Sequence, residues 1–211
     1  MTNFIPVFPL KIVVYPGETL NLHIFEPRYK QMIADCIAAK KPFGLPPALA
    51  ADRPAELGTL LEITELVKEY EDGSLDIRTR GTQVFRLLEL VEAIPDKLYS
   101  GAIVTYPNNV VSQGQSAIGQ RIVEEVRRMY VLLNVEAKFP AHKAEMLSYE
   151  IAHYVGLSVE QEYELLGLFT ELQRLEYIRR HLKNIVPVIQ ELEAMKARIQ
   201  RNGHFRNLSL E

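Results

Sequence analysis

At 211 residues, 47% hydrophobic and 24% charged, the chain can bury a sizeable core, which excludes disorder over most of its length. A formal net charge of −3 gives no basic footprint for nucleic acid, and a single cysteine excludes an intrachain disulfide. No stretch approaches the roughly 20 apolar residues of a membrane span, and the first residues lack the basic leader and apolar run of a signal peptide. A cytoplasmic protein of one or two domains is expected.

The first segment with clear structure runs from Phe8 to Ala39. Pro16-Gly17 has turn chemistry, since proline presets its φ and glycine accepts a positive one. Leu20, Leu22 and Ile24 alternate with Asn21, His23 and Phe25, the period-two pattern of a strand with one buried face. Pro27 fits the first turn of a helix, whose apolar stripe is Tyr29, Met32, Ile33, Cys36 and Ile37. Cys36 on that stripe reads as a small buried hydrophobe. Glu26 suits the positive end of the helix, with Arg28 bracing the loop.

Pro46-Pro47 should end the short apolar segment 43–49 or confine it to a sheet edge. Residues 50–56 read as a surface loop and 57–70 as a strand, followed by the Asp72-Gly73 hairpin signal. Leu75, Ile77 and Thr79 then alternate with Asp76, Arg78 and Arg80. Strands are expected over 84–94 and 99–106, with turns at Gly81 and around Pro95-Asp96. Six or seven strands and one helix in this half suit a small, partly closed barrel.

Pro107 to Gln115 is polar and proline-led, the signature of a boundary. Beyond Ser116 the period is helical: Ile118, Ile122, Val126, Met129 and Leu133 form one stripe, ahead of a stop at Pro140. Met146, Leu147, Ile151, Tyr154 and Val155 form a second, closed by Gly156. Ser158 with Gln161, and Thr170 with Gln173, have capping-box spacing. The last helix carries a heptad seam of Leu175, Ile178, Leu182, Ile185, Ile189 and Leu192, with Ile199 returning later. Pro187 should kink or break it. The tail from Arg201 has no periodicity and is expected to be mobile.

The sequence carries no recognisable catalytic motif. The chain has no P-loop, no GxGxxG and no GxSxG elbow. His23, His142, His153, His181 and His204 fall in no metal-ligand spacing. His23 reads as a half-exposed strand residue, and His153 and His181 as solvated helix surface. No catalytic residue, cofactor or metal is expected.

As a string, the opening segment is distinctive. Phe8-Pro9-Leu10, Val13-Val14-Tyr15-Pro16-Gly17 and Leu20-Asn21-Leu22-His23-Ile24-Phe25-Glu26-Pro27-Arg28-Tyr29 closely resemble the N-terminal, substrate-binding domain of Lon-type ATP-dependent proteases. The resemblance resumes in Asp72-Gly73-Ser74-Leu75 and Arg80-Gly81-Thr82-Gln83-Val84-Phe85-Arg86, is strong over residues 5–91, and is diffuse beyond. It implies a PUA-like β pseudo-barrel with one helix over residues 1–110; with the helical periodicity beyond the boundary, an α+β protein is expected, the barrel followed by an all-α helical bundle over 116–205 with a long C-terminal helix.

The same resemblance implies a domain that binds polypeptide and does not cut it, since Lon-type proteases place their ATPase and serine–lysine protease modules after this domain. A free-standing, non-enzymatic recognition domain is therefore expected. Cereblon-type proteins set a similar domain beside a cage of tryptophans, and this chain has no tryptophan. The expected partner is unfolded or extended polypeptide, held in a groove between the two subdomains. Candidate contacts are Pro9, Leu10, Phe25 and Tyr29 from the opening unit, with Tyr177 and His181 across the gap. One alternative is RNA held by Arg78, Arg80 and Arg86 on the sheet. The other is an oligomerisation or scaffold part built on the heptad seam, compatible with polypeptide binding.

Overall fold

The computed structural model describes residues 3–49, 53–110, 117–139 and 147–206. Its organising element is a 17-residue strand, β5 (Leu75–Val91). The first half of β5 pairs with β2 (Thr19–Ile24) on one side and with the distal half of β4 (Leu57–Glu69) on the other. Its second half pairs with β6 (Gly101–Thr105) and the near half of β4. With β1 (Asn3–Pro6) and β3 (Phe43–Leu45), the antiparallel sheet runs β1-β6-β5-β4-β3, and β2 lies off that path on β5. Parallel bridges Val7–Gly44 and Leu10–Pro47 bring the segment after β1 against the far end of the same path.

The expected turn at Gly81 does not form; β5 continues through it, with a register shift against β4 between Leu60–Gln83 and Leu61–Gly81. Gly81 donates its N–H to the Glu18 carbonyl at 2.8 Å and accepts from Gly17 N–H at 2.8 Å. A Cβ on Gly81 would collide with the Tyr15 carbonyl, so glycine here serves a close backbone approach, not a reversal. Gly17, at φ 89°, supplies the turn that precedes β2. β3 is an edge strand ended at Leu45 by Pro46-Pro47, as the prolines require.

Helix α1 (Pro27–Ala39) starts with proline in its first turn and buries Tyr29, Met32, Ile33 and Cys36 against the sheet. Ile37, expected on the same stripe, is 41% exposed, because the helix presents only its central face to the sheet. Burial pushes the Cys36 thiol up to about 11, helped by the Asp35 charge. A second anchor holds the helix: Asp35 accepts from Lys97 and from the Tyr99 hydroxyl, both at 2.8 Å.

The helical half comprises α2 (Ala117–Leu132), α3 (Leu147–Ile151), α4 (Val159–Leu166) and α5 (Glu171–Arg206), with one-turn 3₁₀ segments at Glu136–Lys138 and Ala152–Tyr154. Ser158 and Gln161 form the capping box expected of them, and Thr170 accepts from the Gln173 N–H at 3.3 Å. α2 packs along α5, burying Ile122, Val126 and Met129 with Leu175, Ile178 and Leu182. The expected stop at Pro140 and the start of the second stripe at Met146 lie outside the described residues.

α5 is unbroken over 36 residues, about 54 Å at ~1.5 Å per residue, and it continues through Pro187. No break occurs because Pro187 and Lys183, whose carbonyl loses its partner, are both exposed, so solvent takes the place of the missing bond. The segment 201–206, expected to lack structure, is helical. Beyond Ile189 the helix leaves the core: Leu192, Met195 and Ile199 are 52%, 60% and 64% exposed.

The sheet and the helices share a core. Val13, Tyr15, Leu57 and Val84 pack in one cluster with Ile122, Tyr149, Leu165, Leu166, Ile178 and Leu182. Side chains therefore fill this contact between the two halves, where a groove was expected.

Candidate functional site

The opening unit is tied to β4 and to α4. The Thr59 hydroxyl donates to the Val14 carbonyl, and the Tyr15 N–H donates to Glu18 at 2.8 Å. The Tyr15 ring is fully buried, and its hydroxyl donates to the Glu162 carbonyl of α4 at 3.0 Å. Burial, then the Glu162 charge, pushes the Tyr15 phenol far above its ordinary range.

The candidate contacts separate in kind. Phe25 is 63% exposed and stacks on His23 with ring centroids 6.1 Å apart. Pro9 and Leu10 are half-buried, and the Leu10 carbonyl accepts from Ala48 N–H at 2.7 Å. Tyr29 lies in the core, its ring 4.0 Å from that of Phe8 and the Arg28 guanidinium 4.5 Å from its centroid. Arg28 also pairs with Glu26 at 2.8 Å, which is the bracing role expected of it.

Tyr177 and His181 lie on α5, and Tyr177 packs against the same core cluster as Tyr15 of the opening unit. Tyr177 donates its hydroxyl to Glu164 at 2.6 Å. Burial and that hydrogen bond raise its phenol well above the ordinary value. His181 donates Nε2–H to the Val155 carbonyl at 3.0 Å. No hydrogen bond, ion pair or ring contact among the described residues joins these two to the four of the opening unit.

His23 faces solvent beside β5, with Nδ1 2.7 Å from Asp76. Asp76 also accepts from the Tyr70 hydroxyl at 2.6 Å; the Tyr70 and His23 bonds together hold its carboxyl below the usual range. Of the arginines considered for RNA, Arg78 is engaged by Glu65 and Asn21, and Arg86 by Glu56 at 2.7 Å. Arg80 is exposed and has no ion pair among the described residues.

Two polar centres escaped the sequence reading. His153, expected on the solvated surface, bridges the two halves: Nδ1 lies 2.7 Å from Glu162 and Nε2 3.2 Å from Glu18. Burial alone would lower its pKa, but the hydrogen bonds to both carboxylates prevail and push it up to about 10. Arg174 is fully buried. It donates to Ser148, Asn109, Glu171 and the carbonyls of Val110 and Leu168 at 2.8–2.9 Å, and its guanidinium lies 4.1 Å from the Tyr149 ring centroid. Every guanidinium nitrogen is used, so this is a structural knot and not an open anion site. Among the described residues no His, Cys, Asp and Glu cluster could hold a metal ion, and no helix is long and apolar enough to cross a membrane.

Comparison with known proteins gives a consistent result. The family model described as the ATP-dependent protease La (LON) substrate-binding domain matches residues 5–184. The crystal structure of a Lon N-terminal domain protein from Xanthomonas campestris superposes with a TM-score of 0.68 at 26% identity, covering 84% of this chain and 98% of that one. The N-terminal domain of Mycobacterium avium complex Lon protease superposes at 0.61 with 15% identity, over 86% of this chain and 99% of that one, a likeness of fold. Protein cereblon of Gallus gallus is 29% identical over 118 residues, 54% of this chain. The match spans about a quarter of the length of that relative, 26%.

Proposed function

The chain belongs to the LON substrate-binding domain family, and from that premise we propose that it is a non-catalytic module that holds extended or unfolded polypeptide. The observation that carries the reading is the span of the family match, residues 5–184, which takes in the sheet and most of the helical half together. We divide the chain into a PUA-like pseudo-barrel, 1–110, and a helical subdomain, 116–205, docked through one shared core. The meeting of the sheet's two ends at Val7–Gly44 supports the barrel description.

The contact surface in this reading is the opening unit. Phe25 is its exposed aromatic, Pro9 and Leu10 are its half-exposed apolar margin, and Tyr29 is the buried support beneath. Tyr177 and His181 hold the helical half in position. Binding is shallow and micromolar or weaker, roughly −8 kcal/mol. Fluorescence anisotropy of a labelled, permanently denatured protein should rise on titration with the chain, while the same protein folded gives no change. Affinity should survive moderate salt, because the contact is apolar; RNA, were it the ligand, should instead bind with an affinity that falls steeply with salt. No rise with the denatured protein refutes the reading.

A second reading is favoured by one feature. Val188, Leu192, Met195 and Ile199 lie at steps of four, three and four on the projecting part of α5, each more than half exposed. A stripe of that spacing suits helix pairing with another copy. Sedimentation at several concentrations, with and without residues 188–211, tests it: self-association that persists without the segment contradicts it.

A further inference from the structure

The outer edge of β2 is open along its whole length among the described residues. β2 runs in unbroken register against β5, from Thr19–Arg80 to Ile24–Leu75. Among the described residues no strand pairs with its other side. The Glu18 carbonyl accepts from Gly81 N–H at 2.8 Å and the Leu20 carbonyl from the Thr79 hydroxyl at 2.9 Å, so even-numbered residues turn their backbone groups toward β5. Alternation then points the N–H and C=O groups of Thr19, Asn21 and His23 away from the sheet.

Proteins normally blunt such an edge with charge, proline or a bulge. This chain does so nearby: the distal half of β4, free of β3, shifts register between Ile63 and Glu65 and again between Leu66 and Lys68. That half also carries Glu62, Glu65, Lys68 and Glu69. β2, TLNLHI, has no charge, no proline and no register shift. Half-buried Leu20 and Leu22 lie on one face and exposed Asn21 and His23 on the other, with Phe25 standing at the end. The next charges along the chain, Glu26 and Arg28, neutralise each other.

We infer that the outer edge of β2 takes up an uncharged, apolar segment of extended polypeptide as an added strand. Its main chain bonds Thr19, Asn21 and His23, and its alternate side chains pack beside Leu20 and Leu22. A row of donors and acceptors at strand spacing is matched by another extended backbone, and the half-buried Leu20 and Leu22 beside it favour apolar side chains. This inference rests on the polypeptide-binding reading and gives that reading a place and a ligand chemistry.

The test uses the whole chain and two synthetic peptides of alternating valine and threonine, one of them N-methylated at every second residue. Methylation removes the donors of one peptide edge and leaves the side chains intact. The parent peptide should slow amide exchange at Thr19, Asn21 and His23, and methylation should weaken binding about tenfold or more. Asn21→Pro, which removes one outward N–H and spares the β2–β5 ladder, should weaken the parent peptide to a similar extent. Circular dichroism checks the fold of that variant; should it fail to fold, the methylated peptide decides. Equal affinity for the two peptides, or protection confined to other elements, overturns the edge assignment and leaves polypeptide binding standing. So does failure of the parent peptide while denatured protein still binds. Failure of peptide and denatured protein alike overturns both. Protection at β2 that grows with protein concentration alone gives the edge to a second copy and overturns the inference.

Discussion

His153 Nε2 lies 3.2 Å from Glu18 Oε2, so a residue of the helical half is tied to the turn that launches β2. Its other nitrogen is 2.7 Å from Glu162, and the imidazole ring sits 5.0 Å from that of Tyr15. The junction is thus an imidazolium between two carboxylates, packed on a buried tyrosine. Its folded pKa, about 10, stands above the ordinary 6.5. The sign follows: the stabilisation is complete below about 6.5 and is lost as pH rises through about 10. His153→Gln should cost about 2 kcal/mol near neutral pH. The difference from the parent chain, measured by denaturant unfolding, should shrink at alkaline pH; a difference independent of pH would contradict the assignment.

Arg174 makes a steeper prediction. Its guanidinium is fully buried and paired with Glu171 at 2.9 Å, beside the Ser148 hydroxyl. Arg174→Leu leaves Glu171 as an uncompensated buried charge, at a cost of about 3–5 kcal/mol. Arg174→Lys should recover little, because one ammonium cannot serve acceptors spread over Asn109, Val110, Leu168, Ser148 and Glu171. Thermal unfolding of both variants checks this.

Gly81→Ala should lower stability by about 1–3 kcal/mol, since the added methyl meets the Tyr15 carbonyl and neither strand can withdraw without breaking the Gly81–Glu18 bond. The loss should appear in unfolding experiments. Weakened polypeptide binding should accompany it, as the turn before β2 shifts.

Phe25 and Tyr29 should behave as opposites, although both are aromatic and four residues apart. Phe25→Ala should change stability by less than about 0.5 kcal/mol and weaken polypeptide binding about tenfold. Tyr29→Ala removes a buried ring packed at a tilt against Phe8 and should cost about 3 kcal/mol. Paired unfolding and binding measurements separate the two roles.

Much of the sheet was legible because local signals agreed with the fold. The alternation from Leu20 to Ile24, the Asp72-Gly73 reversal and the proline stop after Leu45 each act within a few residues. Gly81 misled because a glycine between two strand-like runs looks like a turn, and only the Tyr15 backbone crossing it explains the choice. Arg174 was invisible for a similar reason: within ELQRLEYIRR it has the pattern of a solvated helix arginine. Its burial depends on Asn109 and Val110, more than 60 residues away in sequence. His153 likewise needs partners from two other segments. Pro187 is a different case, where solvent relieves the break that local chemistry predicts. Among the candidate contacts, periodicity set Phe25 on the wet side of the β2 alternation and Tyr29 on the apolar stripe of α1, and the structure leaves Phe25 exposed and buries Tyr29.

The most direct test of polypeptide binding is a backbone-amide NMR titration of the chain with a permanently denatured protein. Concentration-dependent shifts clustered on Thr19 to Phe25 and the adjoining Pro9–Leu10 segment are predicted, with the core of α2 unchanged. A spectrum that stays uniformly unchanged at saturating denatured protein would contradict the account.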